Sequence, residues 1–378
     1  MFAIFKKYKF KNRVLLLGFP EINLGDDLFF KIILDRYPNT LFVLLAFNKY
    51  KEIFKDYDNV IVVNKGNLIY RINSRLSYYY ENRTYYVPPT LVIRCLQYIF
   101  SFTHTVFVGG SMFQESCEKD KGLETLASFK KMRKILKKCS FSMIGCNFGP
   151  YTTLDYCKNT GEIFKLMDDV CMRDKVSYEK FSHLGNVRFA NDIVLHMKTE
   201  PSSYHGEYIT ISIIKPNDKI GLGNLENLYI DKIIEFIRYY NKKGKKVVLM
   251  SFCKSLGDEI VLDQINKLEI SENANIEYFY YNGNIDKALE IISKSQIMIG
   301  TRFHSVILSF VYNVPVIPVA YSNKTKDMLL NYGLWNEIYD INNFVNLPVE
   351  ALEQETIQRV DIHKENNNQF QYLDISLE

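Results

Sequence analysis

The sequence predicts an α/β protein made of two doubly wound domains, each a parallel sheet covered by helices. Short continuous apolar runs, typical of buried parallel strands, alternate with segments of helical spacing along most of the chain. Three of these runs are followed closely by glycine, at Gly18, Gly109 and Gly149. Small residues at strand ends are expected to line the ligand crevice of such a sheet. A polar stretch at 198–206, which contains Pro201, separates two series of strands, so we expect two Rossmann-like domains that face a cleft.

The first domain is predicted at 1–200, the second at 201–335, and a C-terminal tail at 336–378 that could pack back on the first domain. The predicted strands of the first domain are 13–18, 41–46, 60–63, 105–108, 141–146, 168–173 and 187–192. Those of the second domain are 208–214, 246–251, 277–280, 293–299 and 316–319. The predicted helices are 28–35, 123–138, 175–184, 227–243, 259–268, 285–293, 306–312 and one that ends at 330. The polar composition of the last dozen residues predicts a frayed end.

Length and composition indicate a globular protein of more than one domain. At about 150 residues per domain, 378 residues suggest two or three domains. The net charge of +4 is small and does not favour a nucleic-acid partner. Seven cysteines without a C-x-x-C pair are typical of a reducing compartment, and we find neither a signal peptide nor an apolar run of membrane-spanning length. We therefore expect a cytoplasmic protein.

Two stretches of the first domain allow more than one interpretation. In the loop at 19–27, Asn23 and Asp26 stand where a side chain either caps the following helix or binds a ligand hydroxyl. The glycine spacing there is not G-x-G-x-x-G and no P-loop lysine follows, so neither nucleotide fingerprint applies. Between 64 and 101, tyrosines and arginines cluster. This composition is compatible with binding of a sugar chain, and equally with an irregular helical segment that packs over the core.

The stretch at 298–305 has the strongest chemical character in the chain. A strand, a turn and a helix start place Thr301, Arg302 and His304 at the C-terminal edge of a sheet. Backbone N–H groups at a helix start favour an anion, and the guanidinium of Arg302 adds donors for a carboxylate or phosphate. His304 adds a side chain that titrates near neutrality. We therefore expect this turn to hold a small anionic substrate and to protonate it.

An ordered set of motifs resembles the polysaccharide pyruvyl transferase family. The motifs run in family order over most of the chain. They are Gly18 with Asn23-Leu24-Gly25-Asp26, Gly109-Gly110-Ser111, Gly145 with Gly149-Pro150, Arg173-Asp174 with Ser177, Thr301-Arg302-Phe303-His304-Ser305, and Pro315 with Tyr321 and Lys324. The resemblance implies a fold like that of the GT-B glycosyltransferases. It also implies phosphoenolpyruvate as the donor and a pair of glycan hydroxyls as the acceptor, with the acceptor on the first domain and the donor on the second.

The resemblance also implies roles for particular side chains. Arg173 and Arg302 match the donor-binding positions, together with His304. Ketal formation needs a general acid at the donor and a general base at the acceptor. His304 is the candidate acid or a cationic phosphate ligand, and Asp26 and Asp192 are the candidate bases. Further candidate substrate-binding residues are Phe303, Asn23, Gly110, Ser111, Tyr321 and Lys324.

Some of these residues have equally ordinary interpretations. Lys324 binds phosphate or pairs with surface carboxylates, and Tyr321 contacts substrate or packs in the core. No step needs a metal or redox cofactor, and the sequence shows no cluster of His, Asp or Glu with ligand spacing. The expected partners are phosphoenolpyruvate and a glycan or lipid-linked saccharide. A lipid-linked acceptor would bring the protein to the inner face of the membrane.

Two other functions fit the same fold. One is a nucleotide-sugar glycosyltransferase of GT-B architecture, because a fold does not fix a function. Such an enzyme usually needs an acidic ribose clamp in the second domain, and we see no clear glutamate for it after the last glycine turn. The other is a non-catalytic glycan-binding member, in which Arg302 and His304 would not converge on a pocket.

Overall fold

The computed structural model describes residues 9–66, 87–115, 121–199, 206–219, 221–268, 275–360, 362 and 368–378. Contacts between residues divide the chain into two compact units. The first unit comprises Met1–Pro20, Phe29–His196 and Asn366–Glu378, and the second comprises Glu21–Leu28 and Met197–Glu365. Most of the tyrosine- and arginine-rich stretch, at 67–86, and most of the polar stretch, at 200–205, lie outside the described residues.

The first unit is built on a seven-stranded sheet in the order β3-β2-β1-β4-β5-β6-β7. Every neighbouring pair is parallel. The strands are β1 Asn12–Leu17, β2 Thr40–Ala46, β3 Val60–Asn64, β4 His104–Val108, β5 Ser140–Cys146, β6 Asp169–Met172 and β7 Val187–Phe189. The order reverses beside β1, so the C-terminal ends of β1 and β4 form the switch point where such sheets bind ligands.

Helices connect these strands and cover the sheet. They are α1 Leu24–Arg36, α2 Lys49–Ile53, α3 Thr90–Phe100, α4 Lys121–Ile135, α5 Leu154–Phe164 and α6 Lys175–Phe181. β2 and β4 are buried along their whole length, as expected for parallel strands with both faces covered. The apolar side chains of α3, α4 and α5 pack with those of the strands in one hydrophobic core.

The second unit repeats this design with a five-stranded sheet in the order β10-β9-β8-β11-β12, again parallel throughout. The strands are β8 Tyr208–Ser212, β9 Lys246–Met250, β10 Ile276–Phe279, β11 Ser295–Gly300 and β12 Val316–Pro318. The helices are α7 Glu226–Lys242, α8 Asp258–Lys267, α9 Ile285–Ser293, α10 Phe303–Tyr312, α11 Asn323–Asn331, α12 Ile341–Asn346 and α13 Val349–Gln354. No helix within the described ranges is long and apolar enough to cross a bilayer.

Two segments belong to a different unit from the one that the boundaries expected at 200 and 335 predict. Residues 21–28 belong to the second unit, where Leu24 N donates to Phe252 O at 3.0 Å. Residues up to 365 also belong to the second unit, because α12 and α13 bury Phe344, Leu352 and other apolar side chains in its core. These helices form a continuation of the second unit, and the tail proper is shorter than 336–378.

The last residues form a helix in the first unit, α14, at Gln371–Ser376. Gln369 is fully buried, where it accepts from Gly145 N at 2.8 Å and donates to Ala190 O at 2.8 Å. Arg36 forms an ion pair with Asp374 at 2.6 Å. The prediction of a frayed end is therefore wrong, because the polar side chains of the tail find specific partners.

Candidate functional site

The turn between β11 and α10 is held by serine and threonine hydroxyls of the second unit. Ser212, the last residue of β8, accepts hydrogen bonds from Thr301 N at 2.8 Å and from Arg302 N at 3.2 Å. The Ser212 hydroxyl also lies 2.8 Å from that of Ser305, whose own hydroxyl donates to Arg302 O at 2.6 Å. All four residues are buried. These bonds fix the backbone that presents the Arg302 and His304 side chains.

Arg302 is a buried cation with a buried partner. Arg302 is 7% exposed, and its guanidinium forms an ion pair with Asp258, which is 0% exposed. The Asp258 carboxylate also accepts from Phe252 N at 3.0 Å and Cys253 N at 2.9 Å. A buried ion pair is tolerated when further hydrogen bonds satisfy it, as these do for the carboxylate. Asp258 therefore fixes the guanidinium at the start of α10.

Lys219 adds a second positive charge near Arg302. Its ammonium is partly buried, and burial, with the nearby charge of Arg302 as the second cause, lowers its pKa to about 8. Among the described residues Lys219 has no ion pair, whereas the neighbouring Lys215 pairs with Asp218 at 3.0 Å. Arg302 and Lys219 together carry more positive charge than Asp258 neutralises. The surplus charge at this part of the second unit has the sign that attracts an anion.

His304 lies in the first turn of α10, with its ring edge-on to that of Phe303 at 5.1 Å between centroids. Its imidazole also lies directly against the backbone of Gly25, because a Cβ built on that glycine would be 1.8 Å from His304 Nδ1. Beside Gly25, the Asn23 amide donates to Asp26 Oδ2 at 2.8 Å. The structure thus brings Asn23 and Asp26 to the same unit as His304.

Tyr321 and Lys324 follow β12 in the same unit. Tyr321 is half-buried and packs against the hydrophobic core, and Lys324 is the second residue of α11. Tyr321 lies near Tyr229, whose hydroxyl donates to Thr301 at 3.4 Å. Substrate binding by Tyr321 and Lys324 stays a prediction.

The first unit holds a separate polar cluster around Arg173, at the end of β6. The guanidinium donates to Asp192 Oδ2 at 3.0 Å and to Asn147 Oδ1 at 2.8 Å, and both side chains of the ion pair are buried. A Cβ on Gly110 would be 2.4 Å from Arg173 Nη2, so the glycine leaves room for the guanidinium. Ser111 donates to the same Asn147 oxygen at 3.3 Å. The structure thus groups Arg173, Asp192, Gly110 and Ser111.

Within the Arg173-Asp174 motif, Asp174 has a structural role. Asp174 caps α6 by accepting from Ser177 N at 2.7 Å and from Ser177 Oγ at 2.8 Å. The Ser177 hydroxyl accepts from Phe148 N at 2.8 Å and so ties this helix to the loop after β5. Asp174 thus stabilises the start of α6.

The predicted site residues thus fall into two groups, one in each unit. Donor binding by both Arg173 and Arg302 stays a prediction. Sequence reasoning missed Asp258, Lys219 and Ser212 as parts of the second group. Within the described ranges, no three His, Cys, Asp or Glu side chains come close enough together to hold a metal ion.

The fold is GT-B-like, with two Rossmann-like units. UDP-GlcNAc 2-epimerase from Neisseria meningitidis aligns with a TM-score of 0.60 at 9% identity, over 97% of this chain and 99% of that chain. MnaA from S. aureus, in a co-structure with UDP, aligns with a TM-score of 0.59 at 12% identity, over 97% and 94%. At such identities the likeness describes the fold alone.

The chain belongs to the polysaccharide pyruvyl transferase family, a family of transferase enzymes, because the family's sequence profile matches residues 23–323. A similar protein is the amylovoran biosynthesis protein AmsJ of Erwinia amylovora, 20% identical over 253 residues. That match covers 56% of this chain and 56% of AmsJ, so the chain aligns with only about half the length of this relative. The motif set from Asn23 to the turn after β11 lies inside the matched range.

Proposed function

We propose that this protein transfers a pyruvyl group from phosphoenolpyruvate to two hydroxyls of a saccharide, forming a cyclic ketal and releasing phosphate. The setting we propose is the biosynthesis of a surface or capsular polysaccharide, which membership of the family and the similarity to an amylovoran biosynthesis protein support. The acceptor is a glycan or a lipid-linked saccharide. A lipid-linked acceptor would be met at the cytoplasmic face of the membrane.

The main support within the structure is the surplus of positive charge at the start of α10. Phosphoenolpyruvate carries a carboxylate and a phosphate, so it needs cationic and N–H donors at fixed positions. Arg302 is held in place by Asp258, and Lys219 lies within electrostatic reach of Arg302. The N-terminal end of α10 adds backbone N–H groups and a favourable helix dipole. His304, the second residue of the same helix, is the proposed proton donor.

The reaction forms two C–O bonds and breaks one. A proton is delivered to the methylene carbon of the donor, which becomes a methyl group and leaves an oxocarbenium-like centre at C2. One acceptor hydroxyl adds to C2, the bond from C2 to the phosphate oxygen breaks, and the second hydroxyl closes the ring. Of the two hydroxyl protons, one balances the proton taken up by the carbon and the other leaves with phosphate.

We assign the proton donor to His304 and prefer Asp26 to Asp192 as the base. The Asp192 carboxylate already accepts from Arg173 at 3.0 Å and from Val194 N at 3.0 Å. Few of its lone pairs remain for a substrate hydroxyl. Asp26 is half-buried and accepts from the Asn23 amide. Arg173 remains a proposed contact for an anionic group of the donor.

The test is phosphate release from phosphoenolpyruvate, measured with the purified protein and a panel of saccharide acceptors. We expect release that depends on an acceptor and is absent with phosphoenolpyruvate alone. A parallel reaction replaces phosphoenolpyruvate by UDP-GlcNAc. Release of UDP in that reaction, with no phosphate from phosphoenolpyruvate, would instead support a nucleotide-sugar glycosyltransferase.

The affinity for phosphoenolpyruvate is expected to fall as pH rises through about 8. The reason is that the Lys219 ammonium, with its pKa lowered to about 8 chiefly by burial, is charged below that pH and neutral above it. Isothermal titration calorimetry between pH 7 and 9.5 measures this, since a phosphate is fully ionised above a pKa of about 6. Lys219→Met should bind weakly and lose this pH dependence, whereas the exposed control Lys254→Met should keep it. An unchanged profile in Lys219→Met would remove Lys219 from the donor site.

A further inference from the structure

The stretch Glu21–Leu28 is fixed to the second unit by several independent contacts. Residue Asn23 forms an antiparallel bridge with Cys253, and Leu24 N donates to Phe252 O at 3.0 Å. The fully buried Asp27 accepts from the Tyr281 hydroxyl at 2.7 Å. The start of α1 is therefore a rigid part of the second unit, although most of the helix belongs to the first.

Gly25 is the second residue of α1, and the imidazole of His304 lies against it. A Cβ built on Gly25 would be 1.8 Å from His304 Nδ1, 2.4 Å from Cε1 and 2.7 Å from Cγ. Real Cβ atoms do not approach other atoms so closely, so a side chain there and the present ring position exclude one another. The backbone of Gly25 does not adopt the left-handed conformation that favours glycine. The property of glycine that matters at this position is therefore the absence of a side chain.

We propose that Gly25 is a positioning residue for His304: the bare backbone at the start of α1 is the surface that sets the orientation of the imidazole. Helix propensity alone favours alanine over glycine, so the glycine is explained by the ring and not by the helix. An added methyl group meets the ring of His304, while the backbone of the helix start is held on both sides of Gly25, by Leu24 and by Asp27. We therefore expect the ring, rather than the backbone of the helix, to shift in a variant. The catalytic consequence rests on the proposed function, but the geometric claim does not.

The test compares Gly25→Ala with Gly161→Ala, a glycine in α5 where a Cβ meets only ordinary contacts at 3.6 Å or more. We expect Gly25→Ala to lower kcat by roughly tenfold or more, with the donor KM changed by less than about threefold, since orientation of a proton donor affects turnover. The pH profile of kcat should also shift. Gly161→Ala should leave kcat, KM and the pH profile as they are.

A second experiment, by NMR, does not depend on enzymatic activity. The imidazole resonances of His304 are assigned by their loss in His304→Ala and followed by NMR during a pH titration. We expect Gly25→Ala to change the shifts and the titration midpoint of His304, and Gly161→Ala to leave them unchanged. If the wild-type protein releases no phosphate but the NMR shifts change, the proposed function fails while the positioning of His304 stands. Unchanged His304 resonances in Gly25→Ala would overturn the positioning.

A double variant distinguishes the effect on His304 from a general loss of folding. In the His304→Ala background the ring is gone, so Gly25→Ala should cause no further loss of activity and no loss of thermal stability. If Gly25→Ala alone does not fold, the double variant Gly25→Ala/His304→Ala should recover folding. A double variant as damaged as the sum of the two single variants would contradict the proposal.

Discussion

Replacing Arg302 by alanine is expected to weaken phosphoenolpyruvate binding by on the order of 100-fold, because charge-assisted hydrogen bonds to the anion are lost from a shielded position. The guanidinium is buried and is fixed by Asp258, and Arg302 is the N-cap residue of the helix that bears His304. Calorimetric titration of the variant with phosphoenolpyruvate measures the effect. The matched control is Arg238→Ala, which removes an exposed arginine from the same unit.

The same substitution leaves the Asp258 carboxylate buried without its partner, which costs about 3–5 kcal/mol of stability in comparable cases. Arg302→Met combined with Asp258→Asn removes both charges and keeps an oxygen for the N–H groups of Phe252 and Cys253. This double variant should melt closer to the wild-type temperature yet still bind the donor weakly. Wild-type affinity in either folded variant would remove Arg302 from the donor site.

Replacing His304 by asparagine is expected to lower turnover by on the order of 100- to 10,000-fold, the range for loss of a general acid. The donor KM should change much less, because Arg302 and Lys219 remain. Steady-state rates of acceptor-dependent phosphate release separate the two parameters. His183→Asn, an exposed histidine of the first unit, is the control and should behave as the wild type.

A change in the donor KM instead of kcat would assign a different role to His304. If His304→Asn raises the donor KM and leaves kcat unchanged, the imidazole binds the donor as a cation and another group supplies the proton. The assignment of His304 as the acid would then be withdrawn, while the donor site itself would stand.

Much of the fold follows from the sequence because parallel strands buried on both faces need continuous apolar runs. Every strand predicted from such runs is present, and most of their ends lie within two residues of the prediction. Some helices of polar or mixed composition were not predicted. Examples are α5, with Thr160 and Gly161 in its sequence, and α14, whose docking depends on the buried amide of Gln369.

From residue patterns alone, the site could be predicted only where its chemistry lies close together in the sequence. The resemblance to the family supplied the more distant candidates, such as Arg173 and Gly110. Thr301, Arg302 and His304 stand on one turn, so their proximity follows from strand and helix periodicity. The pairing of Arg302 with Asp258 depends on how β9 and β11 are placed in the sheet, which local patterns do not encode. The sequence signal at Asp258 was that of an ordinary helix start after Gly257. The contact between Gly25 and His304 joins residues still farther apart in the chain and required the tertiary structure.

The proposed transfer of a pyruvyl group from phosphoenolpyruvate to a pair of saccharide hydroxyls can be followed through the carbon atoms of the donor. The most direct measurement uses phosphoenolpyruvate labelled with ¹³C at C2 and follows the label by NMR in the isolated saccharide product. We predict that the label appears in the saccharide as a quaternary carbon bonded to two sugar oxygens and a methyl group, together with one phosphate per label transferred. Label that is released only as pyruvate, with the saccharide unchanged, would contradict pyruvyl transfer.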